Sequence, residues 1–255
     1  MGPLAQTFEF FLFSLALGVG GFSILVDSKK IGGGFFRLVS HISFGALLIA
    51  SFFFWGTRGS FDYRVGIFAM VLLSYLIVGR KHEDEKSAFM WINYFIQTVG
   101  MLLILFFFIK ENSAVFPWYH FPFFLSSSLL VGIITFSMTL GHWYLVTPKL
   151  SEKPLIICTY IIWGVLSFKV FLTLLTFYLG FDSYSGDGYS FNILMLLMRV
   201  IWGYVIIGVL SYFTYRLVKM RSIQSATGIL YVMTFFVFIG ELISIYFYFK
   251  YGFYL

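Results

Sequence analysis

Charge is what this chain has least of. Only 11% of its 255 residues are Asp, Glu, Lys or Arg, where a soluble domain carries about 25%. Apolar residues make up 60% and aromatic residues 23%, with 35 Phe, and the mean hydropathy is +0.92. A water-soluble core of this length cannot hide so many Phe, Leu and Ile side chains and still keep a solvated surface. The shortage of charge excludes a soluble enzyme, a disordered chain and a nucleic-acid-binding domain, although the balance is +6. Cysteine is nearly absent too. The single Cys158 sits within an apolar run, so neither an intramolecular disulfide nor a Cys-rich metal site can form. No HExxH pair, Ser-His-Asp set or paired-carboxylate cluster occurs in an apolar stretch, which removes the usual machinery of intramembrane hydrolysis. No metal site is expected: the DSYSGDG stretch has oxygen ligands but lacks the downstream glutamate of a calcium loop.

What is present is a series of long hydrophobic runs. A helix needs roughly 20 mostly apolar residues to cross the hydrocarbon layer, and the sequence offers eight candidates, at about 8–26, 36–55, 61–79, 88–109, 121–146, 154–180, 191–217 and 224–250. Short polar or glycine-rich connectors separate them, including DSKKIGGG, RKHEDEK, TPKLSEKP and KMRSIQS. The expected fold is an all-α polytopic membrane bundle of about eight transmembrane helices, filling 1–255 as one integral membrane domain. The opening MGPLAQTFEFFLF has no basic n-region and carries Glu9, so it reads as a retained first span with Glu9 at the outer interface.

The few basic residues set an orientation. The connectors and span ends after spans one, three, five and seven hold Lys29, Lys30, Arg37, Arg80, Lys81, Lys86, Lys149, Lys153, Arg216, Lys219 and Arg221. The opposite side holds only Arg58, Arg64, Lys110 and Lys250. This bias places the first set in the cytoplasm and both termini outside, as in a bacterial inner membrane.

Two sets of polar residues break the apolar runs. The first is a histidine pair. His41 in span two and His142 in span five lie near one depth in the inner leaflet, since each residue rises about 1.5 Å. Two imidazoles at one level can ligate a haem b, with Arg37, one turn below His41, placed for a propionate. The plainer reading is that both histidines face headgroups near helix ends. The second set is ionic. Lys169 in span six, Arg199 in span seven and Glu241 in span eight share a depth in the outer half. Charges in hydrocarbon are costly and are functional candidates by default. Arg199 and Glu241 are the expected pair, because a guanidinium fits a carboxylate bidentately. An ion pair that only fixes helix register needs two members, and Lys169 is a third, suited to a quinone head group or a small anionic ligand.

Three functions fit these features. The first is a membrane subunit of an electron-transfer or proton-coupled complex, with haem b between the histidines and a quinone or proton site at the charges. The second is a secondary transporter whose substrate site is the charged cluster. The third is a scaffold that presents its Phe-rich surface to lipid and partner membrane subunits.

Overall fold

The computed structural model describes residues 2–58, 63–81, 88–112, 120–147, 150–180 and 189–252. Among these there is no strand. With no water in the bilayer core, each backbone N–H and C=O must be satisfied within its own segment, and helices do this. Helix α1 spans Pro3–Gly21 and starts with proline in its first turn, where the missing N–H has no helical acceptor to lose. It tightens into a 3-10 turn, Phe22–Leu25, then a single helical turn, Ser28–Ile31. There follow α2, Gly33–Arg58; α3, Tyr63–Lys81; α4, Ala88–Asn112; and α5, Phe121–Val146. Helix α6 is Lys153–Gly180. Helix α7 is continuous through Tyr189–Val200, a π-helical segment at Ile201–Ile206, and Ile207–Lys219. Helix α8, Ile223–Tyr251, ends at Gly252, whose left-handed backbone (φ 70°) returns its N–H to Tyr248 O at 2.8 Å.

Among the described residues, seven helices are long and apolar enough to cross a membrane. The chain is a multi-pass membrane protein. The eighth expected span corresponds to α3, whose described apolar stretch is the shorter Val65–Ile77. The helix as a whole runs 19 residues, a rise of about 28 Å, and it lies against α2 and α4.

Helix α5 is the centre of the bundle. Of its most apolar window, 83% is buried, against 28% for α6 and 22% for α7. A helix apolar on all sides belongs inside, and α5 packs against α1, α6 and α8. Its crossing with α1 is set by glycine. A Cβ on Gly18 would stand 2.2 Å from Gly132 Cα, and one on Gly132 would stand 2.1 Å from Gly18 Cα. Only two bare backbones can approach so closely. Beside that crossing Ser128 donates to Ser14 at 2.9 Å. Toward the first turns of α5, Phe10, Phe108, Phe124 and Tyr248 form one aromatic group, with ring centroids 4.7–6.1 Å apart. This group and the α5 core border the charged site.

Candidate functional site

Lys169, Arg199 and Glu241 come from three helices and meet inside the bundle, each 0% exposed. Glu241 on α8 is shared. Its Oε1 accepts from Arg199 Nη1 at 2.9 Å, and its Oε2 accepts from Lys169 Nζ. Lys169 is therefore bound to the same carboxylate as Arg199. Its ammonium also donates to Ser127 on α5 and lies 4.9 Å from the centre of the Phe123 ring. The second guanidinium nitrogen, Nη2, donates to Tyr204 Oη at 3.1 Å, and the guanidinium carbon is 4.4 Å from that ring's centre. The Tyr204 hydroxyl in turn shares a hydrogen bond with Thr173 on α6, one turn from Lys169. A single network thus joins α5, α6, α7 and α8.

The backbone explains why these side chains converge. In a regular α-helix residue i+5 lies about 140° around the axis from residue i. Arg199 and Tyr204 have that spacing, and the π-helical segment Ile201–Ile206 widens the turn so that both face α8. Gly203 provides space for the guanidinium, since a Cβ there would come within 2.6 Å of Arg199 Nη1. Gly240, next to Glu241, lets α8 approach: its Cβ would stand 2.7 Å from Gly203 Cα. Two glycines and a wide turn thus bring an arginine and a glutamate on neighbouring helices within one hydrogen bond of each other.

The arrangement holds two cationic side chains on one carboxylate, lined by Ser, Thr and Tyr hydroxyls. Chemically it can exchange a proton between Lys169 and Glu241, and it can accept an anion in place of part of Glu241's bonding. Arg199 supplies a permanent positive charge through either event.

The two histidines belong to no such site. On α5, His142 turns toward α8, where its Nδ1 and Tyr231 Oη are 3.0 Å apart. Contact between α2 and α5 is made by Trp143 and Phe136, which pack on Phe35 (5.9 and 5.7 Å between ring centres), with Trp143 also over Gly34. His41 is exposed on α2, about 200° around the axis from the buried Val39. Both imidazoles are exposed, His41 on α2 and His142 on α5, and the bonded partner of His142 is on α8. Arg37 is exposed one turn into α2. The acidic loop with Asp182 and Asp187, and His82, lie outside the described residues.

Glu9 departs from expectation as well. It is 3% exposed, on the buried face of α1 and packed among neighbouring helices, in a helix that already begins at Pro3. Ser127 and Tyr204 are site members that sequence reasoning missed, whereas Thr173 lies on the polar stripe that the sequence shows with Lys169. Hydroxyl side chains are frequent in these helices, and only Thr173, one turn from Lys169, carried a positional signal. No family model matches the chain, and neither does any curated protein.

Proposed function

We propose that this multi-pass membrane protein is a proton-coupled secondary transporter, and that Lys169, Arg199 and Glu241 form the site where its substrate and a proton are exchanged. The observation that carries the reading is the division of one fully buried carboxylate between two cationic side chains from two other helices. A structural ion pair is complete with one of each sign. The additional Lys169 leaves positive charge that a small anionic substrate would balance, and it provides an amine able to give up or take a proton as that balance changes. The bonded hydroxyls of Ser127, Thr173 and Tyr204 give such an anion donors without further charge. In this reading the site lies in the outer half of a membrane such as the bacterial inner membrane, which the bias of the basic connectors supports.

The test is uptake into proteoliposomes under an inward proton gradient, with a panel of labelled mono- and dicarboxylates. Wild-type protein is expected to accumulate at least one of them faster with the gradient than without it. Glu241→Gln and Lys169→Met are expected to abolish the gradient-driven component while still inserting and purifying as wild type does. Equal gradient-driven uptake by wild type and Glu241→Gln would overturn the proposal.

A further inference from the structure

Away from the charged site, the inner ends of α6 and α7 carry a second constellation, on the outside of the bundle. Tyr160 of α6 and Tyr215 of α7 place their hydroxyls 3.2 Å apart, and Trp163 packs against both, with ring centres 5.7 and 5.4 Å away. Trp163 is fixed by its own bond, Nε1 donating to Ser211 Oγ at 2.8 Å. Lys219 Nζ lies 4.9 Å from the centre of the Tyr215 ring, and Arg216 Nη1 donates to Tyr212 Oη at 3.3 Å. Tyr160 is 51% exposed, and Lys219 and Arg216 are exposed as well.

Two features separate this patch from an ordinary interfacial belt of aromatic residues. The first is charge. The charged or polar groups that act on Lys219 are Tyr215, Tyr160 and Arg216, none of them a carboxylate. The nearby Arg221 is held by Glu152 at 3.4 Å. Among the described residues, two cations therefore stand side by side with no acidic partner of their own. The second is the hydroxyl pair. Between Tyr160 and Tyr215 one O–H donates to the other, so one proton is left to donate outward, beside the ammonium. Two cations and a free hydroxyl on a lipid-facing surface, at the basic end of the helices, complement a phosphodiester. Deeper along the same face of α7 the exposed Val209 and Val205, 7 and 11 residues before Arg216, offer an apolar track for acyl chains.

We propose that the inner ends of α6 and α7 form a binding site for an anionic glycerophospholipid of the inner leaflet, its phosphate held by Lys219, Arg216 and the Tyr160–Tyr215 hydroxyl pair. The site is independent of the transport reading and shares no residue with it.

Native mass spectrometry of the full chain in non-ionic detergent tests this, with phosphatidylglycerol or phosphatidylcholine of matched acyl chains added. Wild-type protein is expected to retain phosphatidylglycerol in preference to phosphatidylcholine. The double variant Lys219→Gln/Arg216→Gln is expected to bind phosphatidylglycerol about thirtyfold more weakly, the effect of removing two basic residues near the headgroups. Its affinity for phosphatidylcholine and its thermal unfolding in detergent stay as in wild type. Tyr160→Phe, which keeps both charges, gives a smaller loss, and Lys250→Gln, at the opposite end of the bundle, gives none. Equal retention of the two lipids by wild type, or an undiminished preference in the double variant, overturns the site. So does a dimer that the double variant abolishes with no lipid preference, since the patch then seats a second copy of the chain.

Discussion

At the scale of single residues, Glu241 and Lys169 are not equivalent members of their network. Removing the carboxylate leaves two buried cationic side chains without their shared acceptor, while removing Lys169 leaves the Arg199–Glu241 pair intact at 2.9 Å. Breaking a buried pair by deleting one partner costs about 3–5 kcal/mol. Glu241→Ala is therefore expected to destabilise the protein by at least that much, and Lys169→Met by distinctly less. Denaturant unfolding in mixed micelles measures both, and the reverse order would show that Arg199 does not depend on Glu241. The sequence made the meeting of these three residues legible, because depth along a helix can be counted from its ends and an unpaired charge has nowhere else to go. The histidines show the limit of the same count. Depth is one coordinate, and the direction in which a side chain leaves its helix is another, set by packing. Trp143 took the place against α2, which turned His142 to Tyr231. Glu9 was misplaced for a simpler reason: a shift of a few residues in the start of α1 moves it from the interface to the interior.

At the scale of elements, backbone approach governs the bundle at two crossings. Gly18 and Gly132 hold α1 on α5, and Gly203 and Gly240 hold α7 on α8. A methyl group at Gly18 has a backbone in its way and no flexible side chain to yield. Gly18→Ala is expected to cost at least the 1–3 kcal/mol or so of an overpacked core, whereas Gly21→Ala, with nothing within 4 Å of its new Cβ, is expected to leave stability nearly unchanged. Thermal unfolding of the two variants side by side decides the matter, and equal melting points would remove the crossing as a determinant. Gly18 could be recognised as a small residue suited to helix packing, but its partner 114 positions away could not be. The π-helical segment had no trace in the sequence either. Ile, Trp, Gly, Tyr and Val follow one another there as they do in the ordinary helices nearby.

For the whole molecule, composition alone indicated an all-helical membrane bundle, because lipid leaves a chain so few alternatives. The side on which the termini lie depends on whether α3 crosses. From the bias of the basic residues we propose that it does, with both termini outside. Cys158 is fully buried, so introduced cysteines report cleanly. In intact cells Gly2→Cys is expected to react with a membrane-impermeant maleimide and Ser225→Cys to react only after the membrane is opened; both reacting from one side would show an odd number of crossings. The shared carboxylate has a consequence for how such a molecule is made. Helices emerge from the ribosome in order, so Lys169 and Arg199 arrive in the membrane before α8 has been synthesised. Until it is, two cations lie in or near hydrocarbon, at about 2.5–3.5 kcal/mol each on insertion scales, without the acceptor they later hold. Their helices then have reason to linger beside the insertion machinery, and the arrival of Glu241 becomes the event that releases the finished bundle into lipid.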